Sequence, residues 1–278
     1  MHGIGFDSNY WNFQGSGIPE SQYSYVWQAA SRGVSTFRFD RLGTGQSAQP
    51  SDGFTVVQGP VDLSMLLECL DTVKHTSDIG GQTWAKTLLI GHSYGSILAE
   101  AAAVARPDLL DGLILTGFSS AAPGVFNYFQ SEVFTQVNQV KPSLFPSTSN
   151  DYVIGATQYA DQTGFYYQPF TPPANAVLAR NMAQPVTMGA LLTAPFLPGV
   201  STFTGPVHVV LPARDFIFVL DRPNPAALAQ ATADDLFPQA SVRTSFVPQN
   251  FGHTIQVHQN ANAQVATEML DFAAGNGL

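Results

Sequence analysis

The sequence of 278 residues predicts an α/β fold with a mostly parallel sheet. Short apolar runs rich in β-branched residues alternate with stretches whose apolar residues recur every three or four positions. Such alternation is typical of strands joined by helices in βαβ units. The length is ordinary for one α/β domain. We therefore expect one core sheet with helices on both of its faces.

The strands and helices follow from local patterns. Short apolar runs that end at turns predict five strands, at residues 34–39, 87–90, 113–115, 207–211 and 242–247. Helical spacing, Ala-rich stretches or an initial proline predict four helices, at residues 57–76, 97–105, 225–236 and 261–274.

This alternation breaks down in the middle of the chain. Residues 118–170 contain 12 of the 32 aromatic residues, and proline and Ser/Thr-rich turns replace clean periodicity. The stretch is too apolar for a linker, so we expect an inserted cap with an aromatic underside. The predicted core is 1–119 and 204–278, and the predicted cap is 120–203. The alternative is a satellite core without a ligand role.

The composition excludes several classes of protein. The chain has 11 Lys and Arg against 20 Asp and Glu, a net charge of −9, which disfavours a nucleic acid partner. No apolar run approaches the roughly 18 residues that a membrane span needs. Charged residues are only 11% of the chain, which suits an exported protein. The composition gives no indication of an oligomeric state.

Metal and cofactor motifs are weak. The single cysteine, Cys69, excludes an internal disulfide and is expected to be a buried apolar residue, and no Cys/His cluster has zinc spacing. Gly43, Gly45 and Ala48 match a dinucleotide-binding pattern, but the Gln49-Pro50 that follows cannot open the helix that would hold a pyrophosphate. We expect neither a metal nor a cofactor.

The segment Gly91-His92-Ser93-Tyr94-Gly95 has the pattern Gly-x-Ser-x-Gly between an apolar strand and an Ala-rich helix. This is the context of a nucleophile elbow, in which a serine sits on a strained turn. Only glycine on either side lets strand and helix approach so closely. The serine hydroxyl is then exposed beside a helix N-terminus, which favours negative charge.

With this elbow the chain resembles the α/β-hydrolase superfamily, whose triad follows the chain order Ser, acid, His. The resemblance implies that Asp215, after the strand 207–211, is the acid and that His253, after the strand 242–247, is the base. It also implies that the loop beginning His2-Gly3-Ile4 supplies an oxyanion hole, made by the backbone N–H groups of Ile4 and Tyr94. Ser93 is then the nucleophile.

Two residues compete for these assignments. Asp221 lies six residues beyond Asp215, away from the strand end, and His258 falls at the start of the last helical pattern. We therefore prefer Asp215 and His253. The remaining histidines are interpreted as surface or structural residues; they are His2, His75, His92 and His208.

A narrower resemblance is to exported fungal α/β-hydrolase-like proteins. It rests on motifs such as Phe-Asp-Arg-Leu-Gly-Thr-Gly-Gln-Ser at 39–47 and Gly-His-Ser-Tyr-Gly-Ser at 91–96. The family's sheet begins with three strands before the His-Gly loop, which here starts at residue 2. We therefore expect an N-terminally truncated form of a longer, extracellular protein, without a signal peptide in the first residues.

These observations predict a cofactor-independent serine hydrolase that cleaves carboxylic esters through an acyl-enzyme on Ser93. The aromatic cap favours a small apolar or aromatic ester as substrate. The alternative is a non-catalytic homologue that binds small molecules.

Overall fold

The computed structural model describes residues 1–278 and contains two sheets. The seven strands are, in chain order, β1 (Leu88–His92), β2 (Gly112–Thr116), β3 (Thr135–Gln136), β4 (Tyr152–Ile154), β5 (Val186–Thr187), β6 (Val207–Val210) and β7 (Arg243–Phe246). A parallel sheet has the order β1-β2-β6-β7, and a small antiparallel sheet has the order β3-β4-β5. The main sheet confirms the predicted α/β class.

Eleven α-helices accompany the strands. They are α1 (Glu20–Tyr23), α2 (Tyr25–Ser31), α3 (Gly59–His75), α4 (Tyr94–Ala105), α5 (Val125–Glu132), α6 (Val137–Val140), α7 (Gln158–Phe165), α8 (Pro173–Met182), α9 (Met188–Thr193), α10 (Pro225–Leu236) and α11 (Thr267–Gly275). All four predicted helices are present, although the last one begins as a π-helical turn, Ala261–Ala266. None of the helices is long and apolar enough to cross a membrane.

The main sheet forms the centre of the apolar core. Every residue of β2 and β6 is buried, as expected for strands that are covered on both faces. Helix α4 packs on β1 and β2, and α10 packs on β6 and β7. Because the four strands are parallel, their carboxyl ends meet at one edge of the sheet, where side chains from different loops come together.

The predicted strand at 34–39 is wrong. This segment has no regular secondary structure: the backbone of residues 35–39 makes no hydrogen bond, and Phe37 is 49% exposed. The sheet ends at β1, and a cavity of about 550 Å³ lies between β1 and the segment. A β-rich run becomes a strand only when a neighbouring strand accepts its backbone hydrogen bonds, and none lies beside this one.

The N-terminal residues cover the carboxyl end of β1. The backbone nitrogen of Met1 donates to the Ile90 carbonyl, and the N–H of His92 donates to the Met1 carbonyl at 3.0 Å. These two hydrogen bonds form a parallel bridge opposite Gly91. They hold the loop of residues 2–6 over the end of β1.

Residues 120–203 contain the small sheet and helices α5 to α9. The main apolar core continues into this region without a break, because Tyr128, Val153 and Phe165 belong to the same buried cluster as Leu115 of β2. The division of the chain into a core and a cap stays a prediction.

Candidate active site

Ser93 occupies the turn between β1 and α4. Its φ is 56° and its ψ is −121°, a conformation that L-residues rarely adopt. Its N–H donates to the Thr116 carbonyl at 2.9 Å, which ties the turn to the end of β2. Such backbone strain costs on the order of 1–3 kcal/mol and persists only where the surrounding packing enforces it.

The glycines around Ser93 allow this packing. A Cβ at position 91 would lie 2.5 Å from the Gly95 carbonyl oxygen, and a Cβ at position 95 would lie 2.6 Å from that of His2. A Cβ at position 3 would lie 2.9 Å from the Cβ of Ser93. Strand, helix and N-terminal loop therefore meet at distances that only glycine permits.

Asp215 and His253 form a buried pair beside this turn. The Nδ1 of His253 lies 2.8 Å from the Oδ2 of Asp215, and neither side chain is exposed. The Oδ1 of Asp215 accepts hydrogen bonds from the N–H groups of Ile217 and Phe218, both at 2.9 Å. The carboxylate is thus fixed by its own turn and orients the imidazole.

The two competing residues lie elsewhere. Asp221 is exposed and makes no hydrogen bond or ion pair through its side chain. The Nε2 of His258 accepts from the N–H groups of Tyr167 and Gly252, both at 3.0 Å, and its Nδ1 faces the Thr254 carbonyl at 2.9 Å. His258 therefore holds the loop that contains His253.

Aromatic rings surround His253. Its ring stacks against Phe165 and Phe218, with centroids 5.8 and 5.7 Å away, and His92 lies 5.0 Å away. The Nε2 of His253 is buried and has no hydrogen-bond partner, and the Oγ of Ser93 makes no hydrogen bond. Neither of these two atoms is paired in this structure.

The sequence predicts the backbone N–H groups of Ile4 and Tyr94 as oxyanion donors. Ile4 follows Gly3, which packs on Ser93, and the N–H of Ile4 makes no hydrogen bond. Tyr94 is the first residue of α4, where a backbone N–H has no acceptor within the helix. Both N–H groups are therefore available beside Ser93.

A narrow pocket lies between the N-terminal loop and residues 128–186. Eleven of its 16 lining residues are hydrophobic. The polar groups include Tyr128 and Glu132, and the Tyr128 hydroxyl and the Glu132 Oε1 are buried without partners. Burial and the nearby Asp161 raise the pKa of Glu132 to about 8, so this side chain is mainly neutral at pH 7.

The other histidines do not join the site as proton carriers. The Nδ1 of His92 lies 3.0 Å from the Thr116 hydroxyl, its ring stacks on Tyr10 at 4.4 Å, and burial lowers its pKa well below the ordinary value. Burial also lowers the pKa of His208 to about 4. His75 is exposed beside Asp71. His92 is therefore a neutral packing residue next to His253.

The family model described as "Alpha/beta hydrolase family" matches residues 1–262. The chain belongs to the alpha/beta hydrolase family. No curated protein sequence matches it. The match covers the N-terminal loop, Ser93, Asp215 and His253, so all the predicted site residues lie within the matched region.

Solved alpha/beta hydrolase structures resemble this one at low sequence identity. A methylesterase from Arabidopsis is 16% identical, with 99% of this chain and 97% of that chain covered and a TM-score of 0.65. A thermophilic esterase from Thermogutta terrifontis is 17% identical, with 100% and 89% covered and a TM-score of 0.65. Methylketone Synthase I from tomato, complexed with 2-tridecanone, is 14% identical, with 99% and 96% covered and a TM-score of 0.65. These likenesses show the fold.

Sequence reasoning missed several residues of this alpha/beta hydrolase site. Arg41 and Asp62 form a buried ion pair beneath the N-terminal loop, and Phe165 stacks on His253. Arg41 lies in the motif at 39–47 that carries the family resemblance, but Asp62 is one polar residue in an amphipathic helix. Its sequence contained no signal for this contact, because helical periodicity does not show which polar residue turns inwards.

Proposed function

We propose that this protein is a cofactor-independent serine hydrolase that cleaves carboxylic esters through an acyl-enzyme on Ser93. The observation that supports this most is the junction of three loops at the carboxyl end of the sheet. There a strained Ser93 lies next to residue 116, and the buried Asp215–His253 pair approaches the adjoining Gly117. A Cβ at Gly117 would lie 3.3 Å from Cε1 of His253.

In the first half of the reaction, Ser93 Oγ attacks the acyl carbonyl carbon, and His253 Nε2 takes the hydroxyl proton. The carbonyl oxygen becomes an oxyanion that accepts hydrogen bonds from the N–H groups of Ile4 and Tyr94. The bond to the leaving oxygen then breaks, and His253 gives its proton to the departing alcohol. Asp215 holds the imidazole in place and stabilises its positive charge.

In the second half, water attacks the acyl carbon and His253 takes a proton from it. The new tetrahedral intermediate uses the same two N–H donors. Its collapse returns the proton to Ser93 Oγ and releases the carboxylic acid. Neither half-reaction requires a group beyond these side chains and water.

The pocket next to the N-terminal loop bears on the substrate class by its lining alone, since its free volume is about 10 Å³ and neither Ser93 nor His253 lines it. Its mainly apolar lining, which includes Phe6 and Phe165, favours an apolar or aromatic acyl or alcohol group. The structural relatives named as esterase and methylesterase support an ester as the cleaved bond. We therefore propose a small apolar or aromatic ester as substrate.

A fluorophosphonate probe tests the proposal. The probe phosphorus is attacked by Ser93 Oγ with loss of fluoride, so intact mass rises by one adduct and the labelled peptide contains Ser93. We expect labelling of the wild type and none of Ser93→Ala. A matched control is Ser96→Ala, which removes a hydroxyl that bonds only to the backbone of Thr116. Labelling that survives Ser93→Ala would contradict the proposed nucleophile.

A second candidate is a non-catalytic homologue that binds small molecules. One observation favours it: Ser93 Oγ and His253 Nε2 are not hydrogen-bonded, and the nitrogen is fully buried. A folded wild type without fluorophosphonate labelling or ester hydrolysis, but with binding of an aromatic ester by calorimetry, would support this candidate.

We also propose an extracellular site of action. Its support is the resemblance to exported fungal proteins and the low share of charged residues. Immunodetection in the source organism tests it, because an exported protein accumulates in the medium rather than in washed cells.

A further inference from the structure

A buried ion pair lies beneath the N-terminal loop. The Nη1 of Arg41 is 3.1 Å from the Oδ2 of Asp62, and the two side chains are 2% and 1% exposed. Arg41 Nε and Asp62 Oδ1 have no hydrogen-bond partner. A buried pair with unsatisfied atoms is a poor source of stability, because desolvation offsets most of the attraction. Its contacts indicate a different role.

Arg41 contacts the peptide group that contains one oxyanion donor. Its Nη2 donates to the Gly3 carbonyl oxygen at 3.2 Å. That oxygen and the N–H of Ile4 belong to one planar trans peptide, so fixing the carbonyl fixes the direction of the N–H on its opposite side. Arg41 therefore aims the Ile4 N–H away from itself.

His2 reinforces this orientation. Its Nε2 accepts the N–H of Arg41 at 3.2 Å, and its Nδ1 lies 3.0 Å from the Gly3 oxygen. Burial and the adjacent Arg41 lower the pKa of His2 well below the ordinary value, so the ring is neutral. With Nε2 as acceptor, Nδ1 bears the hydrogen and donates to Gly3. The Gly3 oxygen thus accepts two hydrogen bonds.

Asp62 extends the network to the second donor. The Tyr94 hydroxyl donates to Asp62 Oδ2 at 2.9 Å, and the Arg41 guanidinium lies 4.6 Å from the centre of the Tyr94 ring. Tyr94 is the residue whose backbone N–H is the other proposed donor. One carboxylate oxygen is therefore linked to both halves of the oxyanion hole.

We infer that Arg41 and Asp62 are positioning residues that hold the Ile4 and Tyr94 N–H groups at the spacing an oxyanion needs. This inference rests on the proposed hydrolase function. A misaligned donor weakens binding of the developing charge but leaves binding of the neutral ester unchanged, since only the transition state contains the oxyanion.

The test compares kcat, KM and the Ki of an aryl trifluoromethyl ketone in Arg41→Met. Ser93 Oγ adds to the ketone carbon, His253 takes the hydroxyl proton, and the resulting oxyanion occupies the hole. We count active protein as the fraction whose Ser93 is labelled by fluorophosphonate and express kcat per labelled site. This kcat should fall about 10- to 100-fold, which is less than the loss of a whole donor causes, and Ki should rise by a similar factor. KM should stay within about twofold.

Arg243→Met is the matched control, because Arg243 is a cation that pairs with Asp234 and donates to two carbonyls at the amino end of β7, the opposite edge of the sheet from the loop. It should leave kcat per labelled site and Ki unchanged. Arg41→Lys keeps one donor and should give intermediate values. If Arg41→Met does not fold, Arg41→Lys and Tyr94→Phe, which removes one hydrogen bond, provide the comparison.

The outcomes separate the two proposals. A folded wild type that fluorophosphonate does not label overturns the proposed function and this inference with it. A labelled, active wild type whose Arg41→Lys and Tyr94→Phe variants keep both kcat per labelled site and Ki overturns the inference alone. A fall in the number of labelled sites, with unchanged kcat per labelled site and Ki, assigns Arg41 and Asp62 a structural role and also overturns the inference.

Discussion

Replacement of Asp215 by Asn or Ala separates its proposed catalytic role from its role in folding. In Asp215→Asn, the amide oxygen can still accept from Ile217 and Phe218, while the amide nitrogen faces His253 Nδ1 and donates to it. The hydrogen of the imidazole is then forced onto Nε2, which can no longer accept the proton of Ser93. We expect kcat to fall about 1,000- to 10,000-fold.

Asp215→Ala should lose as much activity and also unfold more easily. The substitution leaves the N–H groups of Ile217 and Phe218 buried without an acceptor, at a cost of about 1–3 kcal/mol each. The free energy of unfolding should therefore fall by about 2–6 kcal/mol in Asp215→Ala, and by about 1 kcal/mol or less in Asp215→Asn.

Hydrolysis of a short nitrophenyl ester and urea unfolding measure the two effects. Asp221→Asn is the control, because Asp221 is exposed and six residues away, and it should match the wild type in both assays. An Asp215→Asn variant with activity within tenfold of the wild type would refute the assignment of the acid. Equal stability of the Asn and Ala variants would refute the hydrogen-bond argument.

Three further predictions concern the turn, the pocket and the base. Gly91→Ala should prevent folding or abolish fluorophosphonate labelling, because its Cβ would lie 2.5 Å from a backbone oxygen. Gly275→Ala is the control, because a Cβ there would have no atom within 4 Å, and it should match the wild type in urea unfolding and labelling. Burial raises the pKa of Glu132 to about 8 from 4.5. Between these two pH values the folded protein holds a proton on Glu132 that the unfolded chain releases, so the free energy of unfolding falls as pH rises from about 4.5 to 8. Glu132→Gln should therefore become more stable relative to the wild type over that range, by up to about 1.4 kcal/mol per pH unit in urea unfolding, and a constant difference would contradict the prediction. His253→Ala removes the proposed base, and ester hydrolysis that survives this substitution would speak against the assignment.

Much of the proposed site was predictable because its signals are local. The glycines at 91 and 95 predict the turn at Ser93 by sterics alone, and the structure gives Ser93 its positive φ. Asp215 and His253 each follow a predicted strand, and parallel strands deliver their carboxyl ends to one edge. Their hydrogen bond follows from that geometry, while their catalytic roles stay predictions.

The strand predicted at 34–39 shows where local signals fail. Its residues favour extended backbone, but strand formation needs a partner whose position depends on the whole sheet, and the segment makes no backbone hydrogen bond from 35 to 39. The same limit applies to Arg41 and Asp62, which are 21 residues apart and meet only when the turn after residue 39 packs against α3.

The amino-acid sequence by itself determined the type and order of most elements and the strained turn at Ser93, because propensity, periodicity and glycine sterics act over a few residues. Only the tertiary structure decided that His258 supports its loop, that Asp221 stays in solvent and that Arg41 contacts the Gly3 carbonyl. These outcomes depend on distances between segments far apart in the chain, and burial and hydrogen bonding select among chemically equivalent residues only once those segments have packed.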